Sequence, residues 1–307
     1  MDLSSINPIL LVASIMVSAT PILLAAIGEM VTEKAGVLNL GVEGMMITGA
    51  VVGFAIAVNT GTPGFGFIAA AFAGAALSLC FAFLTQYLLS NQVATGLGLT
   101  LVGLGLSSLI GKPYEGIKSP TLPKLDIPVL SDIPVIGPML LSHDIMVYFS
   151  LGLVVAVWAF LKYTRAGLIL RAVGESADSA HALGYKVVNV RIMAILFGGA
   201  CAGLGGAYLS LVRVPQWTEG MTAGAGWIAL AIVVFASWRA CRVAIGAYLF
   251  GGITVLQLNL QAAGAQVPVA LLSASPYLIT ILVLVIISAK GAHGAPAALG
   301  RAFHASN

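Results

Sequence analysis

Long apolar runs, separated by short polar stretches, decide what this chain can fold into. A helix needs roughly 20 apolar residues to cross the hydrocarbon core of a bilayer. Only 8% of the residues are charged, against about 25% in a soluble domain. The sequence therefore predicts an all-α polytopic membrane protein, with 1–307 forming one transmembrane domain of about nine spans within a range of about eight to ten. The runs are 9–28, a second ending near 58, 65–89, 93–110, 144–161, 192–212, 218–237, 243–261 and 275–289.

The basic residues between the runs indicate which stretches face the cytoplasm. The longest charged interval, 162–191, holds five of the fourteen basic residues. Because Lys and Arg accumulate in cytoplasmic loops, this interval is predicted to be cytoplasmic and the proline-rich loop 112–143 extracytoplasmic. Nine spans then put the N-terminus outside and the C-terminus in the cytoplasm, with ten basic residues inside and four outside.

The seventh run is the weakest of the nine. It includes Glu219 near its start and holds about a dozen strongly apolar residues, so a re-entrant segment stays open as an alternative. The first four and last four spans have opposite orientations, which is compatible with an inverted repeat about a pseudo-twofold axis.

A short helix is predicted inside the cytoplasmic interval. Glu175, Ser176 and Asp178 suit its first turn, and Gly184 suits a left-handed stop. The residues that share one face at helical spacing are Ala177, Ala180, His181 and Gly184. Two interpretations stay open: an ordinary solvated loop, or a docking surface for a soluble partner.

The best internal signal is a glycine-broken polar segment that leads into the second span. It contains Asn39, Gly41, Glu43 and Gly44. Polar groups at membrane depth line a cavity or pair with something, and irregular backbone is tolerated there only against protein or a water-filled path. These residues are candidates for a substrate path. The alternative is that Asn39 and Glu43 only cap helices at the inner interface.

Small residues on the sixth span predict close helix packing. Gly199 and Gly203 form a GxxxG pattern, and Gly206 extends it with Ala202; such faces allow helix backbones to approach closely in a membrane.

No nucleotide motif, metal-ligand spacing or catalytic arrangement is recognisable in the sequence. The positive net charge of +3 follows from the cytoplasmic loops and indicates no nucleic-acid partner. A conduit is therefore favoured over an enzyme.

Several ordered blocks carry a family resemblance. They are GEMVTEKAGVLNLGVEGMMITGA (28–50), LRAVGESADSAHALGYKVVNVRIMA (170–194), AGLGGAYLSL (202–211), GWIALAIVVFASW (226–238) and SPYLITILVLVIIS (275–288). Together they resemble the inner-membrane permeases of bacterial ATP-binding cassette (ABC) importers for simple sugars and nucleosides, which are ribose-permease-like members of the branched-chain amino acid permease superfamily. One departure is that Ala236 and Ser237 follow Phe235 where such permeases usually have glycine.

The resemblance implies a transport subunit of the bacterial cytoplasmic membrane that binds no cofactor itself. It implies partner ATPase subunits that hold ATP and Mg, a second and different permease subunit, and a periplasmic or lipid-anchored substrate-binding protein. It makes 162–191 a coupling loop, whose helix would enter a groove of the ATPase through Glu175, Ser176, Ala177, Asp178, Ala180, His181 and Gly184. Nucleosides are the implied substrate. A simple sugar, a vitamin, an ATP-independent secondary transporter and a membrane scaffold remain alternatives.

Overall fold

A computed structural model describes residues 8–125, 141–262, 268–288 and 294–304. The protein is all-helical, with 77% of residues in helices and no strand among the described residues. The helices are α1 Pro8–Lys34, α2 Val42–Thr60, α3 Pro63–Ala82, α4 Gln92–Gly111, α5 Ile145–Tyr163, α6 Arg165–Glu175, α7 Ala177–Ala182, α8 Val187–Tyr208, α9 Ala225–Phe235, α10 Ala240–Ala262 and α11 Val269–Ser288. Helices α3 and α8 continue into π-helical turns, Phe83–Tyr87 and Leu209–Arg213.

Seven helices of the described chain are long and apolar enough to cross a membrane: α1 to α5, α8 and α10. Helix α11, with 20 residues, also has the length of a span. The first span is longer than predicted, because α1 continues through Glu29 and Glu33 to Lys34. Both carboxylates are fully buried. The charged stretch 29–34, which follows the predicted run 9–28, is therefore the end of a helix inside the bundle.

Helix α9 differs most from its prediction. The run 218–237 was expected to be a span, but α9 has only 11 residues, about 17 Å of helix against a hydrocarbon core of about 30 Å. The seven residues before it, 218–224, form no regular helix. The count of nine spans consequently stays a prediction.

The ends of this broken segment lie far apart in the bundle. Trp217 packs on Gly111 at the end of α4 and donates its indole N–H to Ser107 (3.3 Å). Trp238 donates its indole N–H to Glu33 near the end of α1. The turn residues 218–224 and the short helix α9 thus together connect the two ends.

Ser237 and Trp238 follow α9 with left-handed backbone, at φ values of 51° and 54°. Ser237 is one of the two residues that stand where the resembled family usually has glycine. A non-glycine residue in this conformation costs roughly 1–2 kcal/mol. The turn after α9 is therefore strained relative to a glycine-containing turn.

Two ends of the bundle can be distinguished by their contacts. At the loop end, Glu115 forms a β-bridge with Trp217 and Lys124 forms one with Asp144. The other end, which we call the knob end, holds α6, α7 and residues 294–304. There the N–H of Ala298 donates to the carbonyl oxygen of Gly174 (2.9 Å). Helix α5 runs from the loop end to α6. The loop and the charged interval therefore lie at opposite ends; of the loop, residues 126–140 are outside the described part.

Helix α8 is the central packing element, because glycine brings its backbone against three other helices. A Cβ added at Gly199 would overlap Ser78 of α3, and one at Gly203 would overlap the Ala70 carbonyl of the same helix. At Gly206 the added atom would overlap the Met46 carbonyl of α2. Such close contact replaces the hydrophobic driving force that helices lack in lipid.

Candidate functional site

The starts of α2 and α9 meet inside the bundle, although 183 residues separate Val42 from Ala225. Gly226 lies directly against the backbone of Glu43, since a Cβ there would be 2.6 Å from the Glu43 nitrogen and Cα. Both helices follow non-helical, glycine-containing segments, 35–41 and 218–224. The starts of two helices, each preceded by an irregular glycine-containing segment, are therefore in contact. Irregular backbone of this kind builds substrate sites in transporters.

The Glu43 carboxylate holds this joint together. It accepts hydrogen bonds from the Thr222 hydroxyl (2.6 Å), the Gly224 N–H (2.9 Å) and the Gly226 N–H (2.7 Å). Glu43 is only 3% exposed. It thus satisfies N–H groups at the start of α9, where a negative charge also complements the helix dipole. The carboxylate is a cap, as one interpretation of the sequence required, but for a distant helix.

The other predicted path residues support the turn that precedes α2. The Asn39 side chain is fully buried and accepts from the Gly41 N–H (2.9 Å). Gly41 contacts Gly96, and Gly44 contacts the backbone of Leu99 in α4. The glycines are needed here because the α4 backbone leaves no room for a side chain.

A cavity of about 1040 Å³ opens at the loop end of the bundle. Described parts of α1, α10, α11, the π turn after α8 and residues 214–225 line it. Asn39, Gly41, Glu43 and Gly44 are not among the described lining residues. Thr222 is, and its hydroxyl donates to Glu43. Of the predicted path residues, Glu43 therefore stands behind the cavity wall and holds Thr222 in it.

Sequence reasoning missed a polar cluster at this cavity. Asp144 is 5% exposed, and its carboxylate accepts from the N–H groups of Met146 and Val147 and from the Tyr208 hydroxyl (2.7 Å). His143 and Arg213 line the cavity beside it. One signal for this cluster was present in the sequence, because all three residues lie at the boundaries of predicted spans. A location at the membrane interface was enough to explain polar residues there.

The predicted cytoplasmic helix is α7. Ser176 caps it by accepting from the Ser179 N–H (3.2 Å), and Gly184 stops it at φ 85°. Glu175 does not belong to its first turn, because it ends α6. We call residues 176–186 the knob.

The face of the knob that is open to a partner differs from the predicted one. Ala177 and Ala180 are 8% and 2% exposed, and they pack on Phe303 in an apolar cluster. They cannot provide the close approach that was expected of them. The exposed residues of the knob are Asp178, Ser179, His181, Ala182, Leu183, Gly184, Tyr185 and Lys186. Leu183, at 75% exposure, is its most prominent apolar group.

Residues 294–304, which we call the tail, tie the knob to the bundle. Arg191 of α8 donates to the carbonyl oxygen of Arg301 (3.0 Å), and the Gly300 N–H donates to that of Gly36 (3.1 Å). The Phe303 ring meets the His181 ring edge-on, with centroids 5.4 Å apart. The tail therefore links the knob to residues 35–41, the segment that leads to Glu43.

Comparison with known proteins gives the context for this arrangement. Residues 11–288 match the family described as the branched-chain amino acid transport system permease component. A protein of Haloferax volcanii, TsgC13, named provisionally as a glucose ABC transporter permease, is 40% identical over 87% of this chain and 88% of its own. No solved structure matches this chain.

Two further relatives are named as nucleoside permeases. The guanosine ABC transporter permease NupQ of Bacillus subtilis is 31% identical, and the nucleoside ABC transporter permease NupC of Lactococcus lactis is 30% identical. Each match covers 92% of this chain and 93% of the relative. Permease subunits of this kind are not enzymes themselves. With its apolar spanning helices, the chain is a multi-pass membrane protein, and it belongs to the family of permease components that serve ABC transporters of sugars and nucleosides.

Proposed function

We propose that this chain is the transmembrane subunit of an ATP-driven importer that carries nucleosides. The observation that carries this proposal is the contact between the starts of α2 and α9 at Glu43, which is hydrogen-bonded to Thr222 in the wall of a cavity of about 1040 Å³. Pockets that enclose small molecules have volumes of about 300–1,000 Å³, so the cavity is large enough for a nucleoside. The names of NupQ and NupC support this substrate.

A simple sugar is the second candidate. The 40% identity to TsgC13 favours it, and a hexose is smaller than a nucleoside and fits the same cavity. The two candidates share a hydroxylated sugar ring.

In this proposal the loop end faces outwards and the knob faces the cytoplasm. The N-terminus is then outside and the C-terminus inside, with the broken segment 217–238 acting as the seventh of nine crossings. The excess of basic residues at the knob end supports this orientation. The equivalent positions of α2 and α9, each after a glycine-containing break, support an inverted repeat of α1–α4 and α8–α11.

The knob is proposed to receive force from partner ATPases, which hold and hydrolyse ATP with Mg. Leu183 and Tyr185 would enter a groove of the ATPase, and Asp178 and His181 would contact its rim. Movement of the knob would pass through the tail to residues 35–41, and from there to Asn39, Gly41, Glu43 and Gly44. Rocking of α2 against α9 would then open the cavity alternately to each side.

The proposed assembly also includes a substrate-binding protein and a second permease subunit. This chain is similar to two permeases of Bacillus subtilis, NupQ and NupP, and to two permeases of Haloferax volcanii, TsgC13 and TsgB13. Such pairs support a heterodimer of permeases. The binding protein, periplasmic or lipid-anchored, would deliver substrate at the loop end.

The test is uptake by proteoliposomes that contain the permease pair, the ATPases and the binding protein. Labelled guanosine, uridine and glucose are added on the side of the binding protein. ATP is supplied or withheld on the side of the ATPases. ATP-dependent uptake of the nucleosides is expected. Equal uptake by this chain alone, without ATP or ATPases, would instead establish a secondary transporter or channel.

A further inference from the structure

We infer that the polar cluster at the loop-end cavity binds the hydroxyl groups of a sugar ring, through His143, Asp144 and Arg213. The inference rests on the proposed function and deepens it, because it names the part of the substrate that is recognised. That part is common to nucleosides and simple sugars.

Asp144 supplies an acceptor. A carboxylate can accept about four hydrogen bonds, and three reach Asp144 from the described part of the chain: two from backbone N–H groups to Oδ1 and one from Tyr208 to Oδ2. Tyr208 is fully buried, and its hydroxyl holds the Asp144 carboxylate in position from the protein interior. One acceptor position on Oδ2 is left for a group in the cavity.

His143 and Ser18 add buried polar atoms that have no partner. His143 is 3% exposed and Ser18 is 5% exposed, and both line the cavity. The His143 Nε2 and the Ser18 hydroxyl make no hydrogen bond. A buried polar atom without a partner costs about 1–3 kcal/mol. Hydroxyl groups of a ligand, which both donate and accept, would satisfy them.

Arg213 supplies donors to the same cavity. It is half-buried, follows the end of α8 five residues after Tyr208, and lines the cavity. A guanidinium has five N–H donors in a rigid fork, which suits two neighbouring hydroxyl oxygens.

The remaining lining fits the flat part of such a ligand. The rings of Phe250 in α10 and Tyr277 in α11 also line the cavity and meet edge-on, with centroids 5.9 Å apart. A sugar ring carries hydroxyls at its rim and presents C–H groups on its faces, and a nucleoside adds a flat base. The cavity therefore offers aromatic rings as well as polar groups to such a ligand.

The test compares transport of guanosine with transport of 2′,3′-dideoxyguanosine, which lacks the two ring hydroxyls. The unmodified assembly is expected to have a KM about 10-fold higher for the dideoxy compound, as for loss of about 1.4 kcal/mol. In His143→Phe and Arg213→Met this ratio should fall below about 2-fold, because the groups that sense the hydroxyls are gone. The KM for guanosine should rise in both variants toward the value for the dideoxy compound, because the contacts to the hydroxyls are lost.

A matched control is Thr254→Val. Thr254 lines the same cavity, but its hydroxyl already donates to the Phe250 carbonyl of its own helix (2.9 Å), so the ratio should stay at its original value. Thermal unfolding in detergent verifies that each variant is folded. Parallel assays with glucose and 1,5-anhydroglucitol distinguish a free sugar from a nucleoside as the source of the ring.

The outcomes separate the two proposals. If nucleosides are transported but His143→Phe and Arg213→Met keep the original ratio, the hydroxyl site is wrong and the importer stands. If the assembly carries leucine in preference to any sugar or nucleoside, both the site and the substrate proposal are wrong.

Discussion

Replacement of Glu43 by glutamine should loosen the joint between α2 and α9. The carboxylate accepts three hydrogen bonds in a site that is 3% exposed. A glutamine keeps one acceptor oxygen and turns an N–H₂ donor toward a backbone N–H. One or two bonds to a charged group are lost, each contributing about 1.5–3 kcal/mol. We therefore expect a loss of about 3 kcal/mol in the free energy of unfolding.

The assay is thermal unfolding of the purified chain in detergent, followed by uptake in proteoliposomes. A loss of about 3 kcal/mol should lower Tm by roughly 6 °C for a chain of this size. Uptake should fall as well, because Thr222 joins Glu43 to the cavity wall. Glu115→Gln is the control, since Glu115 is exposed and should change the stability by less than about 0.5 kcal/mol. Equal unfolding temperatures for the two variants would refute the role of Glu43 as the cap of α9.

Four other predictions follow from the packing and the exposed surface. Gly206→Ala should cost about 1–3 kcal/mol by forcing α8 away from α2, whereas Gly105→Ala on α4, where a Cβ meets nothing within 4 Å, should not destabilise; detergent unfolding compares them. Ser237→Gly should raise stability by about 1 kcal/mol in the same assay by relieving left-handed strain. Leu183→Asp should leave unfolding unchanged but reduce co-purification of the ATPases about 10-fold or more. Phe303→Ala should lower the substrate carried per ATP hydrolysed without changing KM, as measured by parallel uptake and phosphate release; unchanged stoichiometry would mean that the tail carries no force.

Local features of the sequence were sufficient for the existence of the long helices and for the two ends of α7. Ser176 and Gly184 mark the two ends of α7 because a hydroxyl cap and a left-handed glycine act within one turn. The length and apolarity of the runs likewise identify the long helices. These properties depend on neighbours within a few residues, so one sequence contains the information.

Long-range contacts could not be predicted in the same way. Nothing near Glu43 indicates that its partners are Thr222, Gly224 and Gly226, and nothing near Ala180 indicates that the tail covers it. The short length of α9 was concealed for the same reason: a turn segment can precede a short helix when a distant carboxylate accepts from its Thr222 hydroxyl and Gly224 N–H. Burial of such groups is a property of the whole fold.

Cysteine labelling tests most directly that a cytoplasmic knob and an outward-facing cavity lie at opposite ends of one permease. Cysteine replaces either Leu183 or Glu115 in a background without Cys80, Cys201 and Cys241, of which Cys80 and Cys241 are exposed. Membrane-impermeant maleimide should label position 115 in right-side-out vesicles and position 183 only in inside-out vesicles. Labelling of position 183 from the outside would contradict the orientation, the site of ATPase docking and the direction of transport together.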